Sequence, residues 1–263
     1  MSQRGDVDGC ANMPLRLPIE LCEAVIHSLD VYNDKATLCA CSLTCKALLP
    51  ASQCLLFYYA QLWDEQTTEL FAETICPTNP STSLATHVRH LSIDTSRGGC
   101  PYNALPLLAE RLVDVTVLEL TFLDWGSLGD AAQDMVTSNF QKVKRLSLDS
   151  CSFETSGQLN YVISSFLSLT NLSFFTSLWG RDVGLVRTPL PHGLTDITLH
   201  TRQSFFCDRL LRMESHPCVH TIQLWSMGLR HTQGVNILLK TLGRSLRHLT
   251  IRELGVESLE TES

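Results

Sequence analysis

The sequence predicts an α/β protein in which a small bundle of short helices precedes a parallel sheet built from repeated strand and helix units. Three observations carry this. One spacing of aliphatic residues recurs seven times between residues 88 and 251. The intervals between its copies carry helical periodicity. Residues 14–57 break the period and read as helices throughout.

The N-terminal helices come first. Leu17 and Pro18 open the first one, where the N–H that proline lacks would have had no partner anyway. Leu21, Val25, Ile26 and Leu29 follow at helical spacing and are expected to form one apolar stripe. Asn33 and Asp34 supply a turn and a side chain suited to an N-cap. The run from Ala36 to Leu49, with Leu38, Leu43 and Leu48, then reads as a second helix or helix pair ending at Pro50.

These residues carry a resemblance. Leu17-Pro18-x-Glu20-Leu21, Val25-Ile26-x-x-Leu29 and Leu38-x-x-Cys41-Ser42-Leu43-x-Cys45-Lys46-x-Leu48-x-Pro50 are similar to the F-box, in particular the variant of large fungal families. The resemblance covers about forty-five residues. Lys46 and Leu48 depart from it, Leu48 standing where Trp is frequent. The resemblance implies a three-helix fold over 14–57 that binds the Skp-type adaptor of a cullin ubiquitin ligase. Leu17, Pro18, Leu21, Val25, Ile26, Leu29, Leu38, Leu43 and Leu48 would be the contact residues. The alternative for the same stretch is an apolar helical cap on the domain that follows.

Residues 58–87 are expected to link the two parts and to cap the repeats. Leu55 to Leu62 reads as an irregular first strand, 64–75 as a helix, and 76–83, rich in Pro, Ser, Thr and Asn, as a loop.

Residues 88–254 hold the repeats. The copies are Val88/Leu91/Ile93, Val115/Leu118/Leu120, Val143/Leu146/Leu148, Leu169/Leu172/Phe174, Leu194/Ile197/Leu199, Val219/Ile222/Leu224 and Leu246/Leu249/Ile251, and their middle members lie 25 to 28 residues apart. In a strand, residues two apart share a face, so Leu146 and Leu148 point inward while Ser147 and Asp149 point to solvent. Burying each inward aliphatic contributes roughly 1.5–3 kcal/mol, provided the next unit supplies the other wall. Between the strands, Leu105/Leu108/Ala109/Leu112, Ala131/Met135/Val136, Leu159/Val162/Ile163/Phe166/Leu167, Phe206/Leu210/Leu211/Met213 and Val235/Leu238/Leu239/Leu242 follow helical spacing. The pattern resembles the leucine-rich repeat, which implies a solenoid with the parallel sheet on its concave side and helices on the convex side. After each strand the repeat places a small polar or thiol residue. Cys151 keeps it, whereas the equivalents Ser96, Leu123, Ser177, Arg202, Met227 and Leu254 vary, so the coils are expected to be irregular. Gly180 to Gly193 lacks a helical pattern, and residues 255–263 form an acidic tail.

Composition narrows the function. With 44% hydrophobic and 18% charged residues the chain is not disordered, and no run reaches the roughly 18 apolar residues of a membrane span. No secretory signal is evident, so the eleven cysteines are expected to be reduced in a cytoplasmic or nuclear protein. A net charge of −7 with scattered Lys and Arg lacks the footprint of a nucleic-acid binder. Cys39, Cys41 and Cys45, and likewise His216, Cys218 and His220, are too few and poorly spaced for a four-ligand zinc site. No nucleophile elbow, phosphate-binding loop or dinucleotide fingerprint is present. Neither an enzyme, a metal nor a cofactor is expected.

Alternation along the strands assigns the solvent face: His90, Ser92 and Asp94; Val117, Glu119 and Thr121; Arg145, Ser147 and Asp149; Asn171, Ser173 and Phe175; Asp196, Thr198 and His200; Thr221, Gln223 and Trp225; His248, Thr250 and Arg252. Most are polar, and the mixed charges of the whole face select no ligand. Phe175 and Trp225 are the apolar exceptions. With His200 and Arg252 they are the expected contact residues for a protein target. The resulting expectation is a non-catalytic substrate receptor of a cullin-type ubiquitin ligase, against the alternative of a leucine-rich-repeat scaffold outside any ligase.

Overall fold

The structure is a computed structural model that describes residues 18–44, 46–75, 84–97, 104–175, 178–179, 190–200, 218–225 and 232–252. The chain divides into two compact units between Leu56 and Phe57.

Among the described residues the first unit holds three helices: α1 (Ile19–His27), α2 (Lys35–Thr44) and α3 (Leu49–Leu56). The Pro18 carbonyl accepts the Leu21 N–H at 3.1 Å, starting α1 directly behind the proline. The turn into α2 is tied by Asp30, whose carboxylate accepts the backbone N–H of Tyr32 at 2.7 Å. Asp34 does not cap its own helix as expected. Its carboxylate reaches back to the Asp30 N–H at 2.9 Å, while its carbonyl accepts from Leu38. Pro50 begins a helix instead of ending one. It is the second residue of α3, inside the first turn, where the missing N–H breaks no hydrogen bond. Leu55 and Leu56 therefore belong to α3 and not to a strand. Ile26, Leu38 and Ala51 form the interior of this unit, with Leu29, Cys41, Leu48, Leu55 and Leu56 packed around them.

The second unit is α/β. Its main sheet has eight parallel strands in the order β1 (Tyr59–Leu62), β2 (His90–Asp94), β3 (Val117–Thr121), β4 (Arg145–Asp149), β6 (Asn171–Phe175), β8 (Asp196–His200), β9 (Thr221–Trp225) and β10 (His248–Arg252), and it is not closed. Short strands β5 (Ser152–Phe153) and β7 (Leu178–Trp179) pair separately. The described connections carry α4 (Glu65–Ile75), a 3₁₀ turn at Leu84–His87, α5 (Ala104–Arg111), α6 (Asp130–Asn139), α7 (Ser156–Ser165) and α8 (Thr232–Leu242). Each main strand pairs with the next in sequence, so crossovers of one hand stack their helices on one face. The helix expected at Phe206–Met213, the loop at 76–83, residues 180–189 and the tail lie outside the described residues.

All seven strand motifs fall in strands, in a single register. Leu91, Leu118, Leu146, Leu172, Ile197, Ile222 and Leu249 align as one row, and Ile93, Leu120, Leu148, Phe174, Leu199, Leu224 and Ile251 as a second. From β2 to β9 both rows are buried. Across β10 they are not: Leu249 is 43% and Ile251 45% exposed, because no described strand lies beyond to supply the second wall. Leu167, expected in the core, is exposed because α7 stops at Ser165.

Backbone hydrogen bonds link the units at both strand ends. At the entrance Thr116, Lys144, Thr170, Thr195, His220 and Arg247 each donate an N–H to the corresponding carbonyl of the preceding unit. At the exit Thr95, Phe122 and Ser150 donate forward to the last carbonyl of the following strand. Phe122 and Ser150 also adopt left-handed φ values of 58° and 52°, which turn the chain after the strand at a cost of roughly 1–2 kcal/mol for a residue with a Cβ. Cys151 follows and is buried, its thiol donating to the Leu120 carbonyl at 3.2 Å.

Candidate protein-binding surfaces

On the first unit, the apolar stripe of α1 divides in two. Residues 21 and 25 differ by about 40° around a helix, whereas 21 and 26 differ by about 140°. Leu21 and Val25 accordingly face solvent while Ile26 turns into the interior. On α2 the split is sharper, Leu38 being fully buried and Leu43 86% exposed. Of the expected contact residues, Leu38 is closed off in the interior, whereas Ile26, although buried, reaches an open groove. Leu29 and Leu48 are half-buried against that interior. Pro18 is exposed, and Leu17 lies outside the described residues. Leu21, Val25, Ala24, Cys22, Cys41 and Leu48 line an open apolar groove of about 520 Å³, floored in part by Ile26.

The solvent face of the sheet carries two distinct clusters. Over β1 to β3, Tyr59 meets His90 edge to face at 4.7 Å, and His90 Nε2 lies 3.1 Å from Glu119 Oε1. Ser92 hydrogen-bonds both Tyr59 and Glu119, which buries it, contrary to its expected exposure. The His90 hydrogen bond holds the Glu119 carboxyl below its ordinary range, and burial pushes the Tyr59 phenol up. The cluster was invisible in the sequence because Tyr59 lies outside the repeat and its register against His90 could not be counted.

At the carboxyl ends of the later strands lies the second cluster. Register sets His200 beside Trp225 and Trp225 beside Arg252. Phe175, whose β6 neighbours β8, stacks obliquely on His200 with ring centroids 5.9 Å apart. The Arg252 guanidinium lies over the Trp225 ring, 4.6 Å from its centroid. All four expected target-contact residues are therefore brought together in one row. Phe175 and Trp225 are half-buried instead of freely exposed, because neighbouring strands crowd their flanks. The indole Nε1 of Trp225 is buried and finds no acceptor among the described residues. A second stack at the other end of this edge, Arg97 over Trp63 at 4.0 Å, went unnoticed because both residues follow their strands.

Among the described residues no three His, Cys, Asp or Glu side chains converge as metal ligands. Cys45 and His216 lie outside the described set, and Cys39 and Cys218 are exposed. No described helix is long and apolar enough to cross a membrane. Compared with models of protein families and with curated proteins, the sequence matches none.

Proposed function

We propose that the protein is a non-catalytic substrate receptor of a cullin-type ubiquitin ligase, with an F-box-like unit of three helices that docks a Skp-type adaptor and a leucine-rich-repeat solenoid that captures a protein target. The observation that carries this is the exposure of Leu21, Val25 and Leu43 within the segment that resembles the F-box. Aliphatic side chains at solvent positions contribute little to their own unit; Leu21 and Val25 line an apolar groove, Leu43 stands exposed on α2 outside it, and such side chains suit a mainly hydrophobic partner surface. A complex of ordinary size would bury on the order of 1,600 Å² in total. The repeated sheet supports the second half of the reading, because a rigid array holds a target in position while the chemistry belongs to the enzymes that the adaptor recruits.

Co-purification with a Skp-type adaptor is the test. The wild-type protein should retain the adaptor, and Leu21→Asp combined with Leu43→Asp should abolish retention while leaving the melting temperature within a few degrees. A folded wild-type protein that shows no adaptor binding at tens of micromolar refutes the assignment.

A further inference from the structure

We infer that the row Phe175, His200, Trp225 and Arg252 reads an extended acidic peptide, taking one carboxylate on Arg252 and an apolar side chain on the Phe175–His200 shelf. The inference rests on the reading of this row as the target-binding surface, and it names the chemical class of the target.

The ion pairs formed among the described residues involve Arg89, Lys142 and His90, and none of them uses Arg252. Its guanidinium is exposed yet laid on the Trp225 ring. An arginine stacked in this way spends its flat face on the indole and keeps its N–H fork in the plane, where two parallel hydrogen bonds to a carboxylate are available. The stack also restricts the side chain before any ligand arrives, which lowers the ordering cost of binding.

Charge selects the ligand. On the solvent face of β8 to β10 the one carboxylate is Asp196, at the opposite ends of the strands, where it accepts the Thr195 hydroxyl at 2.7 Å. The other ionisable residues of that face are His200, His248 and Arg252. At the carboxyl ends of β8 to β10 the described solvent face therefore carries Arg252 and no carboxylate, the same-face acid at this end being Asp149 on β4, beside Phe175. Among the described residues of these strand ends there is a single permanent cation, and phosphate-reading sites use arginine clusters, so a carboxylate fits better than a phosphate dianion.

Spacing follows from the sheet. Phe175, His200, Trp225 and Arg252 stand on four successive strands. At about 4.8 Å per strand, the shelf and the guanidinium are roughly 10–14 Å apart. An extended peptide rises about 3.3 Å per residue, so the apolar and acidic residues should be three or four positions apart.

The experiment pans the full-length protein against a display library of random twelve-residue peptides and remeasures the enriched sequences as fluorescein-labelled peptides by anisotropy. Enrichment of Asp or Glu three or four positions from Phe, Leu or Trp is expected. Replacing that acid by its amide, or Arg252→Ala in the protein, should each weaken binding at least tenfold with the melting temperature unchanged, and Arg252→Lys should recover only part. Absence of enrichment, peptides without an acid, or full affinity of Arg252→Ala would overturn the inference. So would tenfold tighter binding when phosphoserine replaces the acid. Adaptor co-purification is read separately. Adaptor retention without peptide binding removes this inference alone, whereas peptide binding without adaptor retention removes the ligase assignment and supports this surface.

Discussion

Leu146 and Leu249 occupy the same position of the same motif and the same row of the sheet, so truncating each to Ala isolates the effect of the neighbouring strand. Leu146 sits between β3 and β6 and is 1% exposed, whereas Leu249, on the edge strand β10, is 43% exposed. Leu146→Ala removes a fully buried side chain and leaves a closed cavity, for which about 3–4 kcal/mol is the expected cost. Leu249→Ala gives up roughly half of a transfer free energy near 2 kcal/mol and opens no cavity, so about 1 kcal/mol is expected. Urea denaturation followed by tryptophan fluorescence measures the difference cleanly, since Trp63, Trp125, Trp179 and Trp225 all belong to the second unit. The midpoints should shift in a ratio of about three to one with the slope unchanged. Equal costs would refute the reasoning: either a wall covers Leu249 or the inward row is not a common core.

Three more outcomes are expected. Glu119→Gln should cost about 1 kcal/mol at pH 7, the half-exposed site limiting the value. The depressed carboxyl contributes stability above the unfolded value near 4.5 and loses it as pH falls through the lower folded value, so the gap between mutant and wild type should narrow only once pH drops under 4.5 and close below the folded value, as denaturation at stepped pH would reveal. Asp114 accepts from Lys142 at 2.5 Å and lies 3.6 Å from Arg89, an exposed arrangement, so Asp114→Asn should cost about 0.5 kcal/mol at low salt and nothing measurable in 1 M NaCl. Trp225→Ala should lower stability by only about 1 kcal/mol, in keeping with its half-burial, while weakening target binding by about 2 kcal/mol in titration calorimetry; a larger loss of stability than of binding would make it a framework residue.

Most of the sheet was legible because the motif states both the strand and its phase. Leu118 and Leu120, two apart, share a face in a strand and not in a helix, and the neighbouring copies repeat the instruction. What lacked a copy was misread. Tyr59–Leu62 has no preceding unit to count from, so the sequence shows neither where the strand begins nor that Tyr59 covers Ser92. Periodicity in α1 marked apolar residues without separating the inward Ile26 from the outward Val25, since a single short helix does not reveal which side its neighbours occupy. Pro50 has the same ambiguity, being compatible with the end of one helix or the first turn of the next. The row at the strand ends was legible as a list by alternation, but the laying of Arg252 over Trp225 is a matter of side-chain packing that no spacing encodes.

The forward and backward hydrogen bonds at the strand ends also bear on how the chain tolerates changes in length. Because Phe122 and Ser150 donate to the following unit while Thr116 and Lys144 donate to the preceding one, the units of β3 and β4 are fastened on both flanks by position alone, whatever their side chains. Adding or removing one residue between Leu146 and Leu148 would turn the rest of that strand over and set its apolar side chains in water. Gaining or losing a complete unit would leave every donor opposite an acceptor. A length of chain bounded by such joints is free to drift in sequence and to change in whole periods, so related proteins should differ by roughly 25 to 28 residues at a time, with their single-residue gaps confined to the segments between strand and helix.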